Sequence, residues 1–419
     1  MAPATAKALN EIVAPTAPAP AGTYSLFNRA ANPARRVGRL DQLATQVDQL
    51  YDRARIAVVY GGDKTEPGAV IHQANNARSW KSYRSVAEDI SDSLRRQGAR
   101  QVMLLPDDMR LGDRLRQEEI DFVWLNTGGV QGRNPMSHAA AMLEMMGVPY
   151  LGHDPLTTGI LDSKYIFKQN VAYLGLPTAA FTVWNPAIAG SCDPRGDRRF
   201  ERAFEGFDGP FIVKPVSGRA SLHVHVAPSV DDLPEIIDEV YGVTENDVLI
   251  ETYLGGREFC IAIGGPTVSR KGELERLTTP FAFSAAERRL QPDELIFTSM
   301  DKKPITGDRV GPLDPAVDGD VIRNLEEIAH AVYADLQLES LIRLDIRADA
   351  AGRLHILEAN PKPDLAAPTA TKTSIVCTGL PGEGMSYDDL IRSMFADRID
   401  LLFCKRRGAV AALHDLLDR

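Results

Sequence analysis

The feature that most constrains the fold is an alternation of short apolar runs with helical patterns in the first third of the chain. The run Ile56–Tyr60 is rich in β-branched residues and ends at Gly61-Gly62, as expected of a buried parallel strand that opens into a loop. A helical pattern over 80–97 follows it, and two further apolar runs come before residue 126. Because strands that alternate with helices form largely parallel sheets, we predict an α/β domain ending at about residue 150.

The middle of the chain predicts a second, smaller domain. A helical pattern over 156–174 ends at Gly175, and glycine is a common residue at helix C-termini. The predicted strand Phe211–Pro215 runs into a tight loop of small residues, and the alternating run 222–226 predicts a strand that returns beside it. Further along, two apolar runs flank a turn at 349–352, which predicts an antiparallel hairpin.

The N-terminal segment differs from the rest in composition. Residues 1–36 are rich in Ala, Pro, Thr and Asn, which predicts a disordered or loosely docked arm. Leu40, Leu43, Val47 and Leu50 then recur at helical spacing and predict an amphipathic helix. Two interpretations of this helix stay open: it packs on its own domain, or it forms a dimerisation surface.

The composition excludes several classes of protein. The 419 residues carry a net charge of -10 with no long Lys/Arg run, so neither nucleic acid nor an anionic membrane is an expected partner. No apolar run approaches the roughly 20 residues that a membrane-spanning helix needs, and the N-terminus lacks the features of a signal peptide. The cysteines are far apart and lack CxxC spacing, which favours free thiols in a reducing cytoplasm over a disulfide framework or zinc site. They are Cys192, Cys260, Cys377 and Cys404.

The strongest chemical signal is the predicted C-terminal hairpin. Because side chains alternate faces along a strand, Arg343 and Asp345 share one face of its first strand, and Glu358 and Asn360 share one face of its second. A lone carboxylate between apolar neighbours is costly to bury, and a divalent cation would explain the group. Oxygen ligands of this kind suit Mg²⁺ that bridges nucleotide phosphates. The alternative is an Arg–Asp–Glu ion-pair network without catalytic function.

Two weaker signals come earlier in the chain. Lys214 ends an apolar strand beside a loop of small residues that contains Ser221, an arrangement that can hold a phosphate. The alternative is an ordinary hairpin with a solvent-directed lysine. An apolar strand also runs into Glu251, and a Gly-Gly turn then precedes Glu258. That segment could contact a purine and a ribose, or it could be a strand followed by a solvated turn.

Together these segments resemble, in order and spacing, the ATP-grasp superfamily and its D-alanine–D-alanine ligase branch. The resemblance extends from Gly61 to about residue 365. It is most specific in four segments, which are Met142–Tyr150, Val213–Pro215 with Ser221, Leu249–Phe259, and Arg343–Asp345 with Glu358–Asn360. It implies an α/β (α+β), three-domain ATP-grasp fold that holds the nucleotide between the central and C-terminal domains. The implied division is an arm with a helix (1–50), then domains over 51–152, 153–256 and 257–419.

The resemblance also implies roles for individual residues. Arg343 and Ser221 match catalytic positions, the arginine steadying developing charge and the serine lying in a flap over the phosphates. Glu66 matches the acid that receives the first substrate's amino group. The positions that match ATP-binding residues are Lys164, Lys214, Glu251, Leu254, Glu258 and Lys302. Those that match the ligands of two Mg²⁺ ions, with Mn²⁺ as an alternative metal, are Asp345, Glu358 and Asn360.

The sequence departs from this branch where the substrates bind. The stretch Asn126–His138 lacks the family's Gly-Glu-Asp-Gly, and Pro361–Leu365 replaces its Thr-Ser-Pro-Gly. The flap has His223 where the family has a glycine. We therefore predict that Lys362 or Arg133 contacts a carboxylate or larger polar group on the acceptor.

The predicted function is an ATP-dependent carboxylate–amine ligase that forms an amide through an acyl phosphate. Its expected substrates are amino acids or peptide-like molecules of specialised metabolism. The alternatives are a true D-alanine–D-alanine ligase of cell-wall synthesis and a non-catalytic ATP-binding regulatory protein. The predicted partners are small-molecule substrates and, in a homodimer, a second copy of the chain.

Overall fold

The structure is a computed structural model that describes residues 40–63, 65–71, 82–218, 221–291, 294–297, 307–369, 373–405 and 410–418. The predicted arm over 1–36 and Lys302 lie outside these residues. Helices are mixed with both parallel and antiparallel sheets, which confirms the predicted α/β (α+β) class. In the part of the chain that the structure describes, no helix combines the length and apolar character needed to cross a membrane. None of the four cysteines, which all lie within this part, forms a disulfide.

The N-terminal unit is built on a parallel four-stranded sheet with the order β2-β1-β3-β4. Its strands are β1 (Arg55–Tyr60), β2 (Gln101–Pro106), β3 (Phe122–Leu125) and β4 (Tyr150–Leu151). Its helices are α1 (Leu40–Arg53), α2 (Arg84–Arg96), α3 (Leu111–Gln117) and α4 (Met136–Met146). From β1 the chain passes to β2 on one side and then to β3 on the other side of β1. The carboxyl ends of β1 and β3 therefore border a crevice, which is the usual place for a ligand in such sheets.

The central unit has an antiparallel sheet with the order β5-β8-β6-β7. Its strands are β5 (Phe181–Trp184), β6 (Phe211–Pro215), β7 (His225–Ala227) and β8 (Val248–Thr252). Its helices are α5 (Pro155–Asp162), α6 (Lys164–Tyr173), α7 (Pro186–Ala189), α8 (Arg198–Ala203) and α9 (Leu233–Thr244).

Two local predictions for this unit are wrong. The single helix predicted over 156–174 is broken at Ser163, whose backbone is extended and whose side-chain hydroxyl caps α6 by accepting a hydrogen bond from the N–H of Ile166. The returning strand begins at His225 rather than at residue 222, because Ser221 and His223 adopt left-handed φ values of 52° and 55°. Such values interrupt a strand and favour glycine.

The C-terminal unit is an antiparallel sheet with the order β13-β12-β9-β14-β15, beside the hairpin β10-β11. Its strands are β9 (Glu258–Gly264), β10 (Thr267–Arg270), β11 (Glu273–Arg276), β12 (Phe281–Arg288), β13 (Val310–Pro312), β14 (Ile342–Ala348) and β15 (Leu354–Asn360). Its helices are α10 (Pro315–Asp335), α11 (Tyr387–Lys405) and α12 (Val410–Asp418). The predicted antiparallel hairpin is confirmed as β14-β15.

The N-terminal helix α1 packs against the C-terminal helices α11 and α12 of the same chain. Its apolar residues Leu43, Val47 and Leu50 are at most 3% exposed, and they join one core cluster with residues of α11. The guanidinium of Arg53 also donates a 2.8 Å hydrogen bond to the carbonyl of Leu416. Helix α1 therefore packs within its own chain, mainly on the C-terminal helices and also on β2 of its own unit, so this apolar face is not available to a second copy. The homodimer stays a prediction.

Candidate active site

An open cleft of about 780 Å³ lies between the sheet of the central unit and the five-stranded sheet. Strands β6 and β8 supply one wall, and β9, β12, β14 and β15 supply the other. Eight side chains that the sequence analysis selected line this single cleft, although they come from distant parts of the chain. They are Lys164, Lys214, Ser221, Glu251, Leu254, Glu258, Asp345 and Glu358.

The hairpin β14-β15 brings the predicted metal ligands together. Its register sets Asp345 opposite Glu358 and Arg343 opposite Asn360. Arg343 donates hydrogen bonds of 2.7 and 2.9 Å to the two carboxylate oxygens of Asp345. The Asn360 amide donates to Asp345 Oδ2 at 3.3 Å. All four side chains therefore converge as the alternation along the two strands predicted.

A second arginine, which the sequence analysis missed, completes this group. Arg288 at the end of β12 donates hydrogen bonds to Glu258 Oε1 at 2.9 Å and to Asp345 Oδ2 at 3.0 Å. Burial alone would raise the pKa of Asp345, but Arg288 and Arg343 more than offset this and hold the pKa well below its usual range. Asp345 therefore stays ionised at neutral pH, as a metal ligand must.

Lys164 joins three parts of the site. It is the first residue of α6, and its ammonium group lies 3.1 Å from Glu358 Oε2. The same group donates a 2.8 Å hydrogen bond to the carbonyl of Gly218, at the base of the predicted flap. An ammonium at this junction is well placed for an anionic ligand that enters the cleft.

The wall of the cleft formed by β6 and β8 contains a buried charge triad. Glu251 lies 2.8 Å from Lys214 and 2.9 Å from Lys168, a residue that the sequence analysis missed. Burial would raise the pKa of Glu251, but the two lysines more than offset it and lower the pKa to about 2. Burial lowers the pKa of Lys168, although the charge of Glu251 opposes that effect. The carboxylate is therefore a permanent hydrogen-bond acceptor facing the cleft.

The charges of the site favour a polyanion. Four cationic and four anionic side chains of the described residues line the cleft, and two further cations behind its walls, Lys168 and Arg343, pair with Glu251 and Asp345. The lining cations are Lys164, Lys214, Arg288 and Arg347, and the lining anions are Glu251, Glu258, Asp345 and Glu358. This concentration of cationic groups suits a nucleoside triphosphate, whose phosphates need cationic partners.

The donor set at the hairpin fits Mg²⁺. Asp345, Glu358 and Asn360 offer two carboxylates and one amide, all with the hard oxygen atoms that this ion prefers. Mg²⁺ is usually held by one or two carboxylates together with substrate phosphates, so three protein ligands are sufficient when a nucleotide is bound.

The predicted substrate residues lie on the side of the N-terminal unit. The ammonium of Lys362 is 3.5 Å from the centre of the Tyr83 ring and 3.3 Å from Asn126 Oδ1. Asn126 directly follows β3, so Lys362 reaches the crevice of the parallel sheet. Glu66 is exposed and lies 3.9 Å from Arg110. Arg133 is also exposed, so neither it nor Glu66 joins the residues that line the cleft.

The same crevice contains an acid that the sequence analysis missed. Asp107 follows β2 and is buried, and Thr127 donates a 2.6 Å hydrogen bond to its carboxylate. Burial raises the pKa of Asp107 to about 6, despite the opposing hydrogen bond from Thr127. Asp107 therefore loses its proton less readily than an exposed aspartate does.

Comparison with known proteins decides the family. Residues 171–396, more than half of the chain, match a sequence model described as D-ala D-ala ligase C-terminus. The chain belongs to this family. It has an ATP-grasp fold and is an ATP-dependent, ADP-forming C–N ligase. Enzymes of this family use a divalent metal ion together with ATP. The predicted enzyme class is confirmed, and the alternative of a non-catalytic regulatory protein is set aside.

Individual relatives agree with this family assignment. The uncharacterized protein y4sG of Sinorhizobium fredii is 27% identical over 64% of this chain and 71% of its own length. The D-alanine–D-alanine ligase of Gloeobacter violaceus is 25% identical over 68% of this chain and 85% of its own. The crystal structure of D-alanine–D-alanine ligase from Bacillus anthracis with ATP has a TM-score of 0.59 at 18% identity. It covers 85% of this chain and 99% of its own, and it supports the fold alone.

Proposed function

We propose that this family member activates a substrate carboxylate with ATP in the cleft described above and joins it to an amine that carries an additional anionic group. The observation that carries the proposal is the convergence of Arg343, Asp345, Glu358 and Asn360 opposite Lys164 and Lys214. This arrangement supports phosphoryl transfer because cations surround one point at which metal ligands also meet.

The proposed reaction has two steps. A substrate carboxylate oxygen attacks the γ-phosphorus of ATP, the bond to the bridging oxygen breaks, and ADP and an acyl phosphate form. An amine then attacks the acyl carbon, inorganic phosphate leaves, and the amine loses a proton. A free carboxylate is a poor electrophile, so the first step supplies the leaving group that the second requires.

Named side chains have distinct tasks in this proposal. Lys164 and Lys214 bind phosphates, while Arg343 and Arg288 offset charge on the transferring group. Ser221, whose segment lines the cleft, contributes a hydroxyl to the flap, which excludes water from the acyl phosphate. Lys302, outside the described residues, stays a prediction for the γ-phosphate.

The nucleotide and metal contacts follow the same arrangement. We assign Glu251 and Leu254 to the adenine and Glu258 to the ribose. Mg²⁺ would supply charge neutralisation between the phosphates and would be held by Asp345, Glu358 and Asn360. The presence of two ions and the use of Mn²⁺ stay predictions, as do the cytoplasmic location and the division of the chain into domains.

The acceptor side supports a substrate other than plain D-alanine. Lys362 follows β15 and extends toward Asn126 in the crevice. Its ammonium group at this position suits an anionic group on the acceptor. Glu66 stays the proposed partner of the first substrate's amino group, and Arg133 the second proposed contact of the acceptor. We infer a role in specialised metabolism from these departures.

A second candidate is D-alanine–D-alanine ligation itself. It is favoured by relatives with that name, such as the ligase of Gloeobacter violaceus described above. The deciding experiment is a phosphate-release screen over pairs of amino acids and short peptides, with mass detection of products. An adduct formed with acidic acceptors supports the first candidate, and D-alanyl-D-alanine as the preferred product supports the second. Release of phosphate without any adduct would exclude both.

A further inference from the structure

Lys168 is completely buried and stands behind Glu251, which lines the nucleotide cleft. Its ammonium group is 2.9 Å from Glu251 Oε1 and 5.3 Å from the centre of the Phe181 ring. A buried ammonium is costly unless it is paired, and removal of one partner leaves the other charge uncompensated. Lys168 and Glu251 therefore depend on each other for their positions.

Lys168 also connects Glu251 to β15, the strand that carries the proposed metal ligands Glu358 and Asn360. Its ammonium donates a 2.5 Å hydrogen bond to the hydroxyl of Thr178, which in turn donates a 2.8 Å hydrogen bond to the carbonyl of Ile356. Ile356 lies on β15, two residues before Glu358. A continuous polar chain thus joins β8 of the central unit to β15 of the C-terminal unit.

The two lysines hold Glu251 from both sides. Lys168 is next to Oε1, and Lys214 is 2.8 Å from Oε2. Oε1 is buried, whereas Oε2 keeps a second lone pair with which it can accept a hydrogen bond from an amino group. A carbonyl oxygen at the same place would face a negative charge and be repelled. The orientation and charge of Glu251 can therefore distinguish a purine with an amino group at C6 from one with a carbonyl group at C6.

We propose that Lys168 is a positioning residue for nucleotide selection. It holds Glu251 so that the cleft accepts triphosphates of a 6-aminopurine, such as ATP, and rejects those of a 6-oxopurine, such as GTP. It acts through Glu251 and does not touch the nucleotide. The hydrogen bonds through Thr178 keep Lys168 and Glu251 aligned with β15, the strand that carries Glu358 and Asn360. The inference rests on the proposed binding of ATP in this cleft.

The test is Lys168→Met, which keeps an unbranched side chain, one heavy atom shorter, and removes its charge. Phosphate release is measured with ATP and with GTP as alternative nucleotides. We expect the KM for ATP to rise by about tenfold and the ATP preference in kcat/KM to fall by about tenfold, with kcat for ATP within about threefold. A folded Lys168→Met enzyme with the wild-type preference and KM would overturn the proposal.

A matched control separates selection from general loss of stability. Arg398 is 3% exposed and forms a 3.2 Å ion pair with Glu339, away from the cleft. Arg398→Met should lower the melting temperature but leave the ATP preference unchanged. An equal loss of preference in Arg398→Met would show that the effect is not specific to Lys168, and would also overturn the proposal.

A second variant covers the case in which Lys168→Met does not fold. Thr178→Val removes the hydroxyl that holds Lys168 but leaves the ion pair in place, and we expect it to reduce the ATP preference by about threefold. An unchanged preference in Thr178→Val would then overturn the proposal. The proposed function fails separately, because it predicts ATP-dependent phosphate release by the wild-type enzyme before any substitution is made.

Discussion

The ammonium group of Lys164 lies 3.1 Å from a carboxylate oxygen of Glu358, so a proposed phosphate-binding residue is paired with a proposed metal ligand. Both side chains line the cleft, the lysine from the central unit and the glutamate from the C-terminal unit. A nucleotide phosphate and its metal ion would offer Lys164 an anion and Glu358 a cation. Binding of the metal–nucleotide pair therefore exchanges partners without leaving either charge unpaired.

Glu358→Gln tests this relationship. The amide keeps the size of the side chain but loses the negative charge that holds a divalent ion. We expect kcat for phosphate release to fall by roughly 100-fold or more, since a metal ion supplies several kcal/mol of transition-state stabilisation. The measurement is phosphate release against Mg²⁺ concentration. Asp349→Asn, in the turn between β14 and β15, is the control, and an equal loss there would contradict the assignment.

Arg288→Met tests the arginine that links Glu258 and Asp345. Its removal leaves Asp345 with Arg343 as the remaining guanidinium that donates to it among the described residues. We expect a loss of roughly 100-fold in kcat, comparable to the removal of one charge-stabilising donor from an active site. Steady-state phosphate release measures it. The neighbouring Arg289→Met, which removes a half-exposed guanidinium, should change kcat little, and wild-type kcat in Arg288→Met would be evidence against a catalytic role.

Lys362→Ala tests recognition of the acceptor. A charge-assisted hydrogen bond to an anionic group contributes about 1.5–3 kcal/mol, so we expect the KM of an acidic acceptor to rise by about tenfold or more. The KM for ATP should not change, because Lys362 does not line the nucleotide cleft. Both constants come from product formation followed by mass spectrometry. Lys271→Ala, in the turn between β10 and β11, is the control, and an unchanged acceptor KM in Lys362→Ala would contradict the role.

The buried side chain of His153 should make the free energy of unfolding decrease at acidic pH. Burial lowers the pKa of this side chain from 6.5 to about 4, and the positive charge of Arg398 acts in the same direction. The folded protein therefore holds His153 neutral between these two values, while the unfolded chain binds a proton. The contribution to stability is complete above about pH 6.5 and is lost as the pH falls toward 4, by at most about 3 kcal/mol.

His153→Phe isolates this contribution, because phenylalanine keeps an aromatic ring that cannot titrate. Urea unfolding between pH 7 and pH 4 should show a smaller decrease in the free energy of unfolding for the variant than for the wild type. His414→Phe, which replaces an exposed histidine, should follow the wild type. Parallel curves for His153→Phe and the wild type would show that His153 does not titrate in this range.

The sequence was sufficient for features that depend on neighbours along the chain. The convergence at the hairpin follows from the period of two along a strand and from a short turn, so the alternation alone assigns Arg343, Asp345 and Glu358 to one site. Strand and helix types in the N-terminal unit followed from local periodicity for the same reason. The order of motifs then identified the family, which individual motifs could not do.

The tertiary structure decided which distant side chains meet. Arg288 ends a strand that pairs with β9, so its contacts with Glu258 and Asp345 arise from sheet register over long separations in the sequence. Lys168 lies on α6 and contacts Glu251 on β8, a pairing that no local pattern indicates. The break at Ser163 and the left-handed residues Ser221 and His223 depend likewise on capping and loop geometry. Periodicity reports which face of an element is buried, and only packing determines what that face touches.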